Sequence, residues 1–359
     1  MSLGRRLYHG ETHFDFVGRR RWWFAVSIAV VVISGVVLIP AVRGLNLSVD
    51  FVGGSLVECD NPAGATVAEV RDALAGVGQA GAKVQLTGGG AGLRVQTGEL
   101  TEEGRDALIA VVAGVAGVED LQQVSYQSVG PTFGRQVTDS AVRALVVFLI
   151  VVSVFLWWRL EWRMALAAIV EVLHDLVITA GIYALIGFEV TPATVIAVLT
   201  ILGYSLYDTV VVFDKIHENV AERGERHTIS AIVNMSVNQV LMRSLNTSLT
   251  TLLPVGSLLF VGSLLLGAAT LREFALGLFI GVAAGTYSSI FLGSPLVAVW
   301  KEREEHWQRI RRRLGRKGAE DEFAAREFER IPEEAAAAAA LPALSGAIPR
   351  PPRKRRRHR

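Results

Sequence analysis

Six stretches of this sequence are each apolar over about twenty residues, and no other feature constrains the fold as much. A helix needs about 20 mostly apolar residues to cross the hydrocarbon core of a bilayer. The stretches that qualify are 22–42, 138–158, 164–187, 192–213, 244–267 and 273–299. Of the 359 residues, 51% are hydrophobic and only 19% charged, against about 25% charged in an ordinary soluble domain. A free-standing soluble enzyme is excluded. The expected architecture is a polytopic α-helical membrane protein with six spans.

The bases set the orientation, because Lys and Arg collect on the cytoplasmic side of membrane proteins. Arg5, Arg6 and Arg19 to Arg21 precede the first span. Arg159 and Arg163 lie between the second and third, Lys215, Arg223 and Arg226 between the fourth and fifth, and a basic stretch follows the sixth. Segments 1–21, 214–243 and 300–359 are therefore expected in the cytoplasm, with both termini inside. The net charge of +2 hides this asymmetry. Residues 301–359 hold 17 Lys and Arg against 10 Asp and Glu, a surplus of +7, whereas residues 45–135 hold 11 acids against 5 bases, a surplus of −6. Trp22, Trp23, Trp157, Trp158, Trp162 and Trp300 fall at expected span ends, as an interfacial belt would. The first span follows three arginines like a signal peptide, but it is longer than such a segment and lacks a small-x-small cleavage pattern, so it is read as retained.

Segment 43–137 has the marks of a small α+β domain on the far side of the membrane. Residues 55–60 read as a strand, and Thr66 to Glu69 form a capping box that opens a helix. Lys83 to Thr87 and Leu93 to Thr97 alternate as strands around glycines 88–90 and 92. A second helix starts at Thr101, and residues 118–129 supply a last strand. The order β-α-β-β-α-β predicts a ferredoxin-like split unit. The glycine run joins two strands and lacks the Gly-Lys-Ser/Thr ending of a phosphate loop, so a hairpin is expected. The single cysteine, Cys59, is read as a small strand residue. The alanine- and proline-rich part of 300–359, with its basic end, predicts a disordered tail, read either as a solvated segment that sets topology or as one suited to anionic lipid or ribosomal RNA.

Ionisable residues inside a span are costly and usually line a pathway or pair with each other. Asp208 has apolar neighbours on both sides in the fourth span, about 24 Å of helix from Pro192. Arg243 enters the fifth span at a similar depth. Two readings stand side by side: a pair that loads and releases a proton, or a static buried ion pair that fixes packing. Thr209, Thr247 and Ser248, with neighbouring hydroxyls, suit a wet path. Glu171, His174 and Asp175 on the third span are read as members of the same polar core rather than metal ligands. Gly277, Gly281, Gly285, Ser288, Ser289 and Gly293 on the sixth span are read as permitting close helix approach. No nucleophile–base arrangement, metal cluster or nucleotide loop stands out, so no catalytic chemistry is expected.

Several motifs fall in one register. Val49-Asp50-Phe51-Val52-Gly53-Gly54 after the first span resembles the Asp-Phe-x-Gly-Gly motif of the SecD/SecF protein-export family. Val129-Gly130-Pro131, His174-Asp175, Gly203 to Asp214, Thr247 to Thr251 and Gly285 to Ser289 are similar to that family in the same order. The short external segment suits the shorter of the family's two branches. The resemblance implies an accessory subunit of the Sec translocase in the bacterial cytoplasmic membrane, using the proton-motive force with no cofactor beyond protons. It implies one six-helix half of an RND-type unit, with SecD supplying the other half. Further implied partners are the SecY-E-G channel, YajC, preproteins and membrane lipid. By the same carry-over Asp208 and Arg243 fall on proton-relay positions, while Asp50, Phe51, Gly53, Gly54, Gly130 and Pro131 fall on a motif expected to hinge the external domain. The competing readings are an RND-type proton-coupled exporter of small hydrophobic molecules, and a scaffold without proton chemistry.

Overall fold

The computed structural model describes residues 14–262 and 269–315. Each apolar stretch forms a helix among the described residues, the end of the fifth (263–267) lying outside them, and six helices are long and apolar enough to cross a membrane. They are α1 (Arg20–Leu38), α5 (Pro131–Arg159), α6 (Trp162–Ile186), α7 (Pro192–Arg223), α8 (Ile229–Ser257) and α9 (Ala269–Tyr287), the last continued by α10 (Ser294–Glu302). Helix α1 stops before Pro40, where Ile39 is extended as a residue preceding proline must be. Helix α5 begins at Pro131 rather than at 138, with Gly130 as its N-cap. Its polar first turn hid that start from a hydropathy reading. Helices α6, α7 and α9–α10 form the buried middle of the bundle, and α1, α5 and α8 stand outside them.

Between α1 and α5 lie the elements β1 (Asn46–Leu47), α2 (Val49–Val52), β2 (Gly54–Asp60), α3 (Val67–Gly76), β3 (Lys83–Thr87), β4 (Gly92–Thr97), α4 (Glu102–Ala116) and β5 (Ser125–Val129). The four longer strands form one antiparallel sheet in the order β3-β4-β2-β5. That order is the split β-α-β arrangement expected from the sequence. Thr66 and Glu69 close the capping box that opens α3. Strand alternation sends Val57, Cys59, Leu93 and Val95 into a core beneath α3 and α4. Glu58 and Arg94, on the opposite face, turn towards the bundle. A short parallel pairing of β1 with β6 (Glu189–Val190), in the loop between α6 and α7, joins the domain to the bundle a second time.

The other end of the bundle departs from the sequence reading in two places. Segment 214–243 is not a loop. Helix α7 runs to Arg223 and α8 starts at Ile229, leaving only residues 224–228 between them. Charged residues there occupy the outer faces, while Phe213, Ile216, Ile232, Val233 and Val237 stay buried against each other. Asn219 adds hydrogen bonds to Ser236 (2.8 Å) and Gln239 (2.9 Å). Segment 300–359 is ordered at its start: α10 continues to Glu302, and α11 (Glu305–Gly315) buries Trp307 and Ile310. Trp307 lies against Gly224. Lys301, itself buried, pairs with Glu161 at 2.5 Å. The alanine run and the basic terminus lie outside the described residues. Ahead of α1, the backbone of Phe14 and Phe16 bonds the side chains of Asn238 and Asn234 on α8.

Candidate functional site

The bundle's middle holds a cluster of carboxyl groups whose partners are hydroxyls. On α6 the spacing 171, 174, 175 puts Glu171, His174 and Asp175 on one buried face. Helix α7 contributes Ser205, Asp208 and Thr209, and α8 contributes Ser244 and Ser248. Helix α9 ends in a π turn over Ser288–Gly293, all of whose residues but Phe291 are buried. Such single-turn π bulges recur at functional sites because the extra residue re-aims side chains and carbonyls.

Asp208 is 7% exposed and fully engaged: Ser244 Oγ donates to Oδ1 at 2.6 Å and Ser289 Oγ to Oδ2 at 2.7 Å. Asp175 is bound from three sides, by Ser205 (2.7 Å), by Ser288 (2.9 Å) and by His174 Nδ1 at 3.0 Å. Glu171 Oε2 accepts from Thr209 at 2.7 Å. Its other oxygen is buried without a partner and rests on Gly293, where a Cβ would come within 1.5 Å. Ser248 and Thr286 bond each other at 2.7 Å beside the cluster. The π turn gives its serines a choice of acceptor. Ser289 Oγ also reaches the Thr286 carbonyl at 3.3 Å, and Ser288 Oγ reaches that of Gly285 at 3.1 Å. Each can release its carboxylate by turning one bond, leaving no hydroxyl unsatisfied.

Arg243 does not meet Asp208. Its guanidinium bonds the Tyr207 hydroxyl at 3.1 Å on the exposed side of the α7–α8 seam. The cause is helix phase: adjacent residues point about 100° apart, so Ser244 facing inward turns Arg243 outward. Thr247 shares that outward stripe and bonds the Arg243 carbonyl at 2.8 Å, so it is not part of the buried cluster. Glu171, His174, Asp175, Thr209 and Ser248 are brought together with Asp208. The sequence reading missed Ser205, and it treated Ser288 and Ser289 as packing residues. Adjacent serines flanked by glycines, on the span facing Asp208, were the signal that could have found them.

The motif residues converge at the junction of domain and bundle. Asp50 accepts from Ser48 (3.2 Å) and Gln127 (3.2 Å), and the Phe51 carbonyl accepts from Thr138 at 3.2 Å. Gly53 has φ +77°, and a Cβ there would sit 2.8 Å from Pro131 Cα; Gly54 has φ +123° and lies against the Thr97 carbonyl. Glycine is required at both positions by conformation and by space. With Gly130 capping α5, these residues form a close-packed clasp.

Residues 110–303 match the family described as "Protein export membrane protein SecD/SecF, C-terminal", and residues 39–58 match the "SecD/SecF GG Motif". The chain belongs to the SecD/SecF protein-export membrane family. The first SecD/SecF match spans the whole buried cluster, and the second contains Asp50, Phe51, Gly53 and Gly54. Among SecD/SecF relatives, "Protein translocase subunit SecF" of Streptomyces coelicolor is 42% identical over 321 residues, covering 89% of this chain and 85% of that protein. Its counterpart in Mycobacterium tuberculosis is 44% identical over 87% of this chain and 73% of that protein. The crystal structure of SecDF from Thermus thermophilus, described as a translocon-associated membrane protein, superimposes with a TM-score of 0.74 at 35% identity. It covers 84% of this chain and 40% of that longer one.

Proposed function

We propose that this chain is a SecF-type accessory subunit of the Sec protein translocase, and that protonation of Asp208 drives its working cycle with a SecD half. The observation that carries the reading is Asp208 itself: a carboxyl group inside an apolar bundle, held by hydroxyls from two further helices and by no base. As a carboxylate it accepts from both Ser244 and Ser289. Once protonated at Oδ2, it must donate from that oxygen, so Ser289 turns its own hydrogen to the Thr286 carbonyl. The contact between α7 and the π turn is thereby rewritten at each proton taken up. One proton crossing 100 mV supplies about 2.3 kcal/mol, comparable with one or two such hydrogen bonds.

The SecD half would cover the α7–α8 seam. An arginine on the outer surface of a span is costly against lipid and calls for a protein partner or water, and Arg243 stands there beside Tyr207. In this scheme Arg243 is the relay's countercharge, swinging between Tyr207 and the proton path. Both termini lie in the cytoplasm and the α+β domain outside, as the base-rich loops indicate. The clasp around Gly53, Gly54, Gly130 and Pro131 makes the domain follow the start of α5, so that bundle motion reaches the preprotein leaving SecY-E-G. The same relation to preproteins assigns the chain no catalytic step of its own.

The test is proton-gradient-stimulated preprotein export by vesicles containing this chain, SecD and SecY-E-G. Asp208→Asn should remove the stimulation by tenfold or more while leaving co-purification with SecD intact. Stimulation at the unsubstituted level would overturn the reading.

A further inference from the structure

A second group of ionisable side chains lies where the α+β domain meets the bundle, and no step of the proposed cycle uses it. Arg94 on β4 is 7% exposed, and its guanidinium is shared among three carboxylates from three parts of the chain. Glu58 on β2 is its direct cross-strand partner and binds Nε. Glu189 of β6 and Glu273 of α9 both bind Nη1, Glu273 at 3.2 Å. Glu189 is 4% exposed and Glu273 1%, and each keeps one buried oxygen, Oε1 and Oε2 respectively, without a hydrogen-bond partner.

The charges do not balance. Three carboxylates around one guanidinium leave a formal charge of −2 in a site two of whose acids are sealed from water. Arg272 next to Glu273, its guanidinium 4.9 Å from the Phe188 ring centroid, is a second positive charge and offsets this excess only in part. Tyr183 on α6 donates to the Glu273 backbone carbonyl, not to its carboxylate. The remaining charged neighbour, Asp50, is negative and adds to the excess. Unpaired buried charge of this kind is relieved by neutralisation, and two orphaned carboxylate oxygens beside a common arginine suit one shared proton.

We propose that Glu189 and Glu273, clamped by Arg94, form a second proton-binding site that holds the α+β domain down on the bundle when it is loaded. A proton between the two acids leaves one anion for the Nη1 branch of Arg94 and another, Glu58, for Nε. Loss of that proton leaves two anions competing for one nitrogen in a buried site, and water can reach them only if the domain lifts from the bundle. Burial pushes the Glu189 carboxyl above its ordinary range, the pull of Arg94 opposing that only in part while Glu58 and Asp50 add to it. A group raised in the docked form stabilises that form at low pH, and the stabilisation is lost as pH rises through the raised value. The docked domain is therefore favoured by acid on its own side of the membrane. Glu273 also lies sixteen residues before Ser289 on the same span, about 24 Å along the axis, so a shift of α9 at this site is felt at the π turn.

The inference stands apart from the role of Asp208, and its test is made in an Asp208→Asn background. The full chain, with Cys59→Ala and spin labels at Ala80→Cys on the domain and Ile186→Cys on the bundle, is placed in nanodiscs and titrated from acidic to alkaline pH. The interspin distance should be single and short in acid, then lengthen and broaden as pH rises. Glu189→Gln or Glu273→Gln should hold the short distance throughout, and either should remove one protonated-carboxyl infrared band. Arg94→Gln should shift the lengthening to lower pH. A distance insensitive to pH, or Gln variants that lift the domain as Arg94→Gln does, would overturn the proposal in favour of a fixed structural brace. Retention of the infrared band in both Gln variants would overturn it as well.

Discussion

The two buried acid clusters of this chain solve the same electrostatic problem by different means. In the bundle, Glu171, Asp175 and Asp208 are held by serine and threonine hydroxyls and one histidine. At the domain interface, Glu58, Glu189 and Glu273 are held by a single guanidinium. A hydroxyl can donate or accept and can turn to a nearby carbonyl, so it tolerates a carboxyl group in either protonation state. A guanidinium only donates, in a fixed fork, and is never neutral. The first arrangement suits a site that must change state repeatedly at low cost. The second suits a contact that is either made or broken.

That contrast can be broken by substitution. Arg94→Met removes the base that is ion-paired with all three acids, and removing one partner of a buried ion pair costs about 3–5 kcal/mol. Thermal unfolding of the purified chain in detergent should fall accordingly, and most steeply at alkaline pH. Ser244→Ala and Ser289→Ala each delete one hydrogen bond to a charged acceptor, worth about 1.5–3 kcal/mol. Their unfolding should shift less than that of Arg94→Met, while proton-stimulated export falls without vanishing. A serine variant as damaging as Arg94→Met would mean that the hydroxyls are not the softer of the two supports. Arg243→Gln should be the mildest in the isolated chain, within about 0.5 kcal/mol as for other exposed positions, yet it should weaken stimulation when SecD is present. A large loss of stability in the isolated chain would place Arg243 inside the bundle's own energetics, not on a surface awaiting a partner.

Much of this architecture was legible in the sequence because the bilayer and the pleat impose simple periods. The six spans followed from apolar length, and the split β-α-β domain from strand alternation and the Thr66–Glu69 capping box. Where one face of an element carried the signal, a one-dimensional reading failed. Residues 214–243 are charged on their outer faces and read as a loop by hydropathy, although Ile229, Ile232, Val233, Val237 and Val240 keep a helical rhythm. Residues 305–315 were hidden in a basic tail by the same cause. Asp208 was legible as an acid among apolar neighbours, but its partners were not. Choosing Ser244 over Arg243 requires the rotational phase of α8, which composition does not fix. The Arg94 cluster was out of reach, since residues 94, 189 and 273 meet only once the domain is folded and set on the bundle.

The overhang of α7 and α8 has a mechanical consequence. Helix α7 has 32 residues, about 48 Å of rise, against a hydrocarbon core of about 30 Å. The surplus projects as a lever arm, its tip fastened through Trp307 to α11 and, further down α8, through Asn234 and Asn238 to the segment before α1. A tilt of a few degrees at Asp208 is small within the bilayer but is multiplied along that arm. A fluorophore placed at the exposed Arg312 of α11 would therefore work as a remote pointer, reporting the angle of α7.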